Sequence, residues 1–222
     1  MSDFEVVDEQ TDFIIVSKSA DVNFHDEGQL GKGLFSQIKS RLNVDELYPV
    51  HRLDKMTSGL LIVAKTKGAA NEFQNLFSTH QIQKYYLALS DNKPTKKQGL
   101  IKGDMAKSRR GMWKLLRTNN NPAITQFFSY SIKPSVRAFI VKPHSGKTHQ
   151  IRVALASIKA SIIGDPLYSK STSDRGYLHA YAIQFSYQGK YFNYCFPPRK
   201  GQLFIGEEFN QWLDNYKAPE QL

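Results

Sequence analysis

The sequence has a single cysteine, Cys195, among 222 residues. A lone cysteine cannot form an internal disulfide, and without a CxxC pair no thiolate site for zinc is indicated. We therefore interpret Cys195 as a small buried hydrophobe and predict a reducing, cytoplasmic location. A chain of this length buries about 70% of the surface that it exposes when unfolded, so it needs no disulfide to fold as one domain.

Long apolar stretches are also absent. The longest apolar runs are short, such as residues 13–16, and none is long enough for a membrane-spanning helix. The N-terminal segment MSDFEVVDEQ is acidic and lacks the basic start and apolar stretch of a signal peptide. We expect no membrane partner.

Acidic residues are also few relative to basic residues. The chain has 20 Asp and Glu against 30 Lys and Arg, which gives a net charge of +10. This excess attracts RNA, DNA or an anionic membrane. A membrane-binding chain would be expected to carry a basic amphipathic helix with apolar anchors, and no convincing one is present. Nucleic acid is therefore the favoured partner. The densest basic tract is a candidate phosphate-binding segment, or else a solubilising surface loop; its cations are Lys93, Lys96, Lys97, Lys102, Lys107, Arg109, Arg110, Lys114 and Arg117.

Strand patterns outnumber helix patterns along the chain, and no regular βαβ alternation occurs. This favours an α+β fold in which a mainly antiparallel mixed sheet is flanked by helices, in a single domain over 1–222. The tract from 92 to 121 is interpreted as short strands joined by mobile loops. Strands are predicted at 4–7, 13–16, 60–63, 85–89, 124–129, 138–141, 177–185 and 191–196, and helices at 34–42, from 67 onward, at 151–158 and at 209–216. Thr66 is the predicted N-cap of the second helix. Turns are predicted at Gly164-Asp165-Pro166 and, between the last two strands, in a hairpin around Gln188 and Gly189.

The first segment that carries candidate chemistry is HRLDKMTSGLL, residues 51–61. Asp54 lies here between two cations, and a Thr-Ser-Gly turn leads into an apolar strand. On composition alone, the favoured interpretation of Asp54 is a turn or cap residue paired with Arg52.

The second segment is KPHSGKTHQIR, residues 142–152, in which a polar loop with one glycine opens a helix. The spacing places four polar residues in the first turn: Lys147, His149, Gln150 and Arg152. A helix N-terminus attracts phosphate, and cations placed there oppose the helix dipole unless an anion lies nearby. The alternative is an ordinary solvated helix start.

The third segment is QKYYLA, residues 83–88. In a strand, Tyr85 and Tyr86 point to opposite faces, so that one can pack in the core while the other lines a site. Periodicity alone does not choose between them. Trp113, Tyr48 and Tyr168 are further candidates for stacking on bases, although core packing is the commoner fate of such residues.

Together these segments resemble the signatures of the RluA-type RNA pseudouridine synthases. HRLDKMTSGLLIVAK, KYYLAL, GKTHQIRVALA, IIGDPLYS and LHA occur in family order, and the register of KYYLAL selects Tyr86 over Tyr85. The small N-terminal S4 domain of many relatives is not recognised. The chain departs from the family pattern at Ser19, Asp21 and Ala154, where the family usually has proline, glycine and histidine. These changes affect loop rigidity and substrate choice rather than the chemistry.

The resemblance implies an isomerase that converts chosen uridines in a ribosomal or transfer RNA stem-loop to pseudouridine, acting as a monomer without cofactor or metal. It implies that Asp54, Tyr86 and Arg152 are catalytic, around a central RNA-binding cleft, with Arg152 as the partner of Asp54. It also implies that Arg52 fills the space left by a flipped base. The predicted substrate-binding residues are His51, Arg52, Lys147, His149, Gln150, Lys107, Arg109 and Arg110.

Three other functions remain as alternatives. A non-catalytic RNA-binding protein on the same fold would be expected to lose Asp54, Tyr86 or Arg152, and all three are present. A metal-dependent nuclease requires clustered carboxylates, whereas Asp54 lies among cations. A structural ribosomal protein agrees with the charge but not with the ordered motifs.

Overall fold

The computed structural model describes residues 3–26, 31, 33–216 and 219. Most of the strands within these residues belong to one large sheet. The strands are β1 Phe4–Glu9, β2 Phe13–Lys18, β3 Tyr48–Pro49, β4 Ser58–Ala64, β5 Gln83–Ser90, β6 Gln98–Gly103, β7 Met105–Lys107, β8 Trp113–Leu115, β9 Ala123–Lys133, β10 Val136–Pro143, β11 Leu178–Tyr187 and β12 Lys190–Cys195. The helices are α1 Leu34–Leu42, α2 Lys67–Ser78, α3 Gln150–Ser157 and α4 Glu207–Asp214.

Ten of the described strands form this sheet, in the order β1-β2-β4-β11-β5-β10-β9-β6, with β3 beside β4 and β12 beside β11. Every pairing in it is antiparallel except the short parallel contact between β4 and β11. β7 and β8 form a separate two-stranded hairpin, which we call the basic hairpin. The predicted α+β class with a mainly antiparallel sheet is confirmed.

The sheet branches at β11. One edge of β11 pairs with β5, while the other pairs first with β4, at His179 and Ala180, and then with β12. Gly59 of β4 lies opposite Ala180 with a φ of 109°, and a side chain there would collide with the Ala180 carbonyl. Glycine is therefore required at this crossing, which brings the loop before β4 to the centre of the sheet.

Helices cover both faces of the sheet because the buried strands are apolar on both sides. Along β2, Phe13 and Ile15 face the cluster around α2, whereas Ile14 and Val16 face the cluster around α1. Thr66 caps α2 as predicted, since its hydroxyl accepts a hydrogen bond from the Ala69 N–H at 3.1 Å. α3 and α4 pack in a third cluster against β5, β9, β10 and β11.

The predicted hairpin around Gln188 and Gly189 is confirmed. The prediction that Cys195 is buried is wrong, because this residue is exposed. Phe192 faces the core, and a side chain three positions further along a strand points to the opposite side. Among the described helices, none is long and apolar enough to cross a membrane.

Candidate active site

An open cleft of about 880 Å³ lies over the middle of the sheet. The loop 50–57 forms one wall, the loop 143–149 forms the other, and β5 contributes Lys84 and Tyr86. The three segments that carry the candidate chemistry, far apart in sequence, therefore meet at one site.

Asp54 lies in the loop just before β4. Its side chain is 23% exposed, and its Oδ2 accepts a hydrogen bond from Nη1 of Arg152 at 3.1 Å. Asp54 does begin a turn, since the Thr57 N–H donates to its carbonyl at 3.0 Å. Its predicted pairing with Arg52 is wrong, because Arg52 is exposed on the cleft wall and makes no ion pair within the described residues. The structure instead places Asp54 beside Arg152, the partner that the resemblance implied.

A buried carboxylate holds Arg152 from the other side. Nε and Nη2 of Arg152 donate to the two oxygens of Asp165 at 2.7 and 2.8 Å, and both side chains are almost completely buried. Burial lowers the pKa of Arg152, but Asp165 and Asp54 outweigh that effect and raise it above its ordinary value. Asp165 also accepts the backbone N–H groups of Leu167 and Tyr168, so it is itself fixed. The guanidinium is thus held in one orientation, with Nη1 directed toward Asp54.

Lys18 anchors the turn that follows Asp54. Its buried ammonium donates to the carbonyls of Ser19, Val22 and Lys55, each at 2.9 Å. Burial lowers the pKa of Lys18 to about 7, against the opposing charge of Asp21. Three donors exist only on the protonated amine, so the complete set of contacts requires the charged form. Asp21, where the family has glycine, adopts a φ of 63°, which aspartate tolerates better than most residues.

Tyr86 and Tyr85 point to opposite faces of β5, as strand alternation requires. Tyr85 is 2% exposed in the core, whereas Tyr86 lines the cleft with Asp54. Burial, reinforced by the charge of Asp54, raises the pKa of Tyr86, so the phenol is protonated at neutral pH. Its hydroxyl makes no hydrogen bond within the described part of the chain.

Gln150 holds the cleft loop rather than facing the solvent. Its amide oxygen accepts from Ser145 Oγ and the Lys147 N–H, and its amide nitrogen donates to Ile124 O and Thr125 Oγ1. Because both ends of the amide are occupied and the residue is buried, the prediction that Gln150 binds substrate directly does not fit this arrangement. We reassign it as a positioning residue.

His51 also has a structural contact. Its Nε2 accepts the backbone N–H of Ile62 at 2.9 Å and its ring packs on Phe77. Burial, and then the charge of Lys84, lower the pKa of His51 to about 3, so the ring is neutral and its acceptor is used. Direct substrate binding through Nε2 is therefore excluded, although the residue lines the cleft.

The other predicted binding residues fall into two groups. Arg52, Lys147 and His149 line the cleft, and Lys147 also donates to Asn121 at 2.8 Å. α3 begins at Gln150, so Lys147 lies before the predicted first turn and His149 caps the helix with a φ of 55°. The second group, Lys107, Arg109 and Arg110, lies outside the cleft on the exposed end of the basic hairpin.

The short strands predicted for the basic tract are present, and the structure shows in addition that the basic hairpin docks on the body of the protein. β8 packs against α3, and the Trp113 N–H donates to the Tyr168 hydroxyl at 2.7 Å.

Sequence reasoning did not assign three residues of the site. Asp165 was interpreted only as part of a Gly-Asp-Pro turn, Tyr168 only as a possible stacking residue, and Lys84 only as part of a motif. Lys84 lines the cleft with its pKa lowered by burial, and it makes no ion pair within the described residues. The signal that could have found Asp165 is an acid after an apolar run, downstream of a buried arginine that needs a partner.

No group of three or more His, Cys, Asp or Glu side chains that could hold a metal ion was found among the residues that the structure describes.

Comparison with known proteins gives one family. Residues 12–157 match the family described as RNA pseudouridylate synthase. An RNA pseudouridine synthase of Haemophilus influenzae is 50% identical over 205 residues, covering 91% of each chain. The ribosomal large subunit pseudouridine synthase D of Zymomonas mobilis is 34% identical over 125 residues, 55% of this chain and 39% of that longer protein. The structure of human RNA pseudouridylate synthase domain containing 1 matches 97% of this chain with a TM-score of 0.76 at 22% identity, which supports the fold.

Proposed function

Because this chain belongs to the RNA pseudouridylate synthase family, we propose that it isomerises a uridine of a ribosomal or transfer RNA stem-loop, with Asp54 as the carboxylate that initiates cleavage of the glycosidic bond. The activity of the family, pseudouridine formation in RNA, follows from membership. The substrate and the roles of individual residues are the proposal.

The observation that carries the proposal is the Asp54–Arg152–Asp165 arrangement. Asp165 neutralises the guanidinium through two hydrogen bonds, so Asp54 needs only one contact with it, at 3.1 Å. The second oxygen of Asp54 has no hydrogen bond within the described residues, and the side chain remains partly open to the cleft. The result is a carboxylate that is oriented by a fixed cation and has one oxygen free to react.

The reaction needs little beyond positioned groups. The bond between uracil N1 and ribose C1′ breaks, a bond between C5 and C1′ forms, and the proton lost from C5 is balanced by one gained at N1. No electrons are gained or lost overall. Asp54 attacks as a nucleophile or removes a proton to start the cleavage, and both routes need an ionised carboxylate.

Tyr86 contributes a flat ring and a protonated hydroxyl beside Asp54. The ring offers a surface for the uracil to stack on. Because burial and the Asp54 charge oppose loss of the phenol proton, Tyr86 acts first as a hydrogen-bond donor. For Tyr86 to accept the proton from C5, its hydroxyl must give up its own proton in the same step.

Access to the cleft requires the uridine to leave the RNA stack. Flipping a base costs a few kcal/mol, and less in a loop than in a helix, which favours a stem-loop as substrate. Arg52 is exposed on the cleft wall, and its planar guanidinium is suited to stack in the vacated space. Lys84 and Lys147 supply positive charge inside the cleft for the phosphates that flank the flipped nucleotide.

Asp54→Asn tests the chemical role. The variant keeps the shape of the side chain and a donor–acceptor group facing Arg152, but it removes the charge and the nucleophile. We expect pseudouridine formation in a stem-loop RNA to fall at least about 1,000-fold, within the range for loss of a catalytic acid–base group, with RNA affinity changed less than about threefold. Asp45→Asn is the matched control, because Asp45 is exposed and outside the cleft. Normal turnover by Asp54→Asn would remove Asp54 from the chemistry.

The RNA class is tested separately. Pseudouridine in total RNA is mapped in cells with and without the gene, and each site that disappears is reconstituted with purified protein and the isolated RNA. Loss of sites in ribosomal or transfer RNA supports the proposed substrate, and loss confined to another RNA class contradicts it.

A further inference from the structure

The hydroxyl of Tyr168 lies where three elements meet. It accepts the backbone N–H of Trp113 in β8 at 2.7 Å and lies 3.0 Å from Nδ1 of His149, the residue before α3. Its ring packs over Arg152, with 5.1 Å from the guanidinium carbon to the ring centroid. One side chain therefore contacts the basic hairpin, the cleft loop and the cation that orients Asp54.

The direction of these hydrogen bonds follows from counting protons. The phenol oxygen already accepts from Trp113, and Nδ1 of His149 is the other polar partner of this hydroxyl within the described residues. Among the described residues, the single phenol proton finds an acceptor only if it points to Nδ1, and the reverse arrangement would leave it without one there. Nδ1 must then be unprotonated, and the neutral imidazole carries its proton on Nε2.

The surroundings of His149 favour the neutral ring. Burial and the nearby Arg152 lower its pKa, while Asp54 and Asp165 oppose them. Nε2 makes no hydrogen bond within the described part of the chain, and the residue lines the cleft. The tautomer that Tyr168 selects thus provides an unused N–H donor at the catalytic site.

We propose that Tyr168 is a positioning residue that fixes His149 as an Nε2–H donor to an acceptor oxygen of the bound RNA and links the basic hairpin to the catalytic arginine. The inference rests on the proposed function, because it requires RNA in the cleft. The Trp113 amide orients the Tyr168 hydroxyl, and the hydroxyl sets the tautomer of His149.

Tyr168→Phe tests the hydroxyl while keeping the ring over Arg152. We expect kcat to fall roughly tenfold, as loss of about one hydrogen bond implies, and KM for RNA to change less than about threefold. Exchange of the Trp113 amide hydrogen should accelerate in the same variant. Tyr191→Phe is the matched control, because it removes the same atom from a side chain that is 61% exposed and makes no hydrogen bond within the described residues.

The ¹⁵N NMR spectrum of His149 gives a readout that simple loss of packing would not produce. In the wild type we expect Nδ1 to be an unprotonated acceptor and Nε2 to carry the proton, and in Tyr168→Phe we expect a mixture of both tautomers. A protonated Nδ1 in the wild type, or an unchanged tautomer together with normal kcat in the variant, would overturn the inference. Pseudouridine formation by the wild type would stand in either case, so the two proposals fail separately.

A second pair of variants does not depend on Tyr168. In His149→Gln the amide N–H₂ lies near the place of Nε2, and in His149→Asn it lies near that of Nδ1. The φ of 55° at this position favours asparagine over glutamine, so backbone preference works against the expected result. We expect the glutamine variant to retain more kcat than the asparagine variant. An asparagine variant of equal or higher activity would contradict the role of Nε2.

Discussion

The buried cluster of Asp54, Arg152 and Asp165 and the exposed end of the basic hairpin use charge in opposite ways. In the cluster, one guanidinium is held by two carboxylates and its side chain is 5% exposed. On the hairpin, the cations of Lys107, Arg109 and Arg110 are exposed and make no ion pair within the described residues.

This difference separates geometry from affinity. A pair of charges removed from water is weakly screened, and its hydrogen bonds fix direction as well as distance. Exposed charges are screened over a Debye length of about 8 Å at physiological salt, so they act as a diffuse attraction for phosphates. Changes in the cluster should therefore alter turnover and stability, whereas changes on the hairpin should alter affinity and its dependence on salt.

After Asp54→Asn, the largest effect is expected for Asp165→Asn. The substitution leaves Arg152 buried with Asp54 as its remaining carboxylate, and it turns an amide N–H₂ toward the guanidinium donors. We expect the free energy of unfolding to fall by roughly 3 kcal/mol, the lower end of the range for breaking a buried ion pair, because Asp54 remains. Turnover should fall at least about 100-fold, since Asp54 must then neutralise the cation. Urea unfolding and single-turnover kinetics measure the two quantities.

Glu5→Gln is the control for that prediction. It breaks the ion pair with Arg199, in which both side chains are at least half exposed, and exposed pairs contribute about 0–1 kcal/mol. Similar losses of stability in Asp165→Asn and Glu5→Gln would show that the buried cluster has no special energetic role.

Tyr86→Phe is expected to have the next largest effect, and it examines an uncharged member of the cleft. Loss of the hydroxyl should lower turnover roughly 100-fold if it donates to the uracil, at the lower end for acid–base groups. Tyr85→Phe is the matched variant in the core, where the hydroxyl donates to Gln83 at 3.1 Å. It should change the free energy of unfolding by about 1 kcal/mol and leave turnover nearly unchanged. Equal losses of turnover in the two folded variants would contradict the assignment of Tyr86.

Local patterns predicted the fold well because the strands and helices here follow their periodicities. The Thr66 cap, the Gln188–Gly189 hairpin and the alternation of Tyr85 and Tyr86 all depend on neighbours in sequence. The burial of Cys195 was predicted wrongly because it was inferred from the residue type. The alternation of β12, in which Phe192 faces the core, places Cys195 on the opposite side.

The site was harder to predict because its contacts join distant segments. Arg152 and Asp54 are 98 positions apart, and the pair was expected only through the family resemblance. Asp165 lies in a Gly-Asp-Pro turn, and a turn accounts for an aspartate there without any functional role. The three hydrogen bonds of Lys18 depend on where the fold places its carbonyl partners. Gln150 and His51 show the reverse error. Both were predicted to bind substrate because they are polar and lie in a motif, but their hydrogen-bonding groups are already used within the protein.

The smallest effect on turnover is expected when Lys107, Arg109 and Arg110 are replaced together by alanine. These side chains are exposed and lie outside the cleft, so they should not touch the reacting base. Each phosphate contact that is lost should reduce the slope of log K against log salt by about 0.7 to 0.9, and affinity at low salt should fall with it. The measurement is binding of a cognate stem-loop to wild type and triple variant across a salt series, with turnover at saturating RNA measured in parallel. An unchanged slope and affinity would assign the hairpin cations to solubility alone and move the search for RNA contacts to Lys142, Lys147 and Lys159. A lower turnover at saturating RNA would show that the hairpin acts on the chemistry, so the separation between geometry and affinity would fail, and the link through Tyr168 would have to carry more than position.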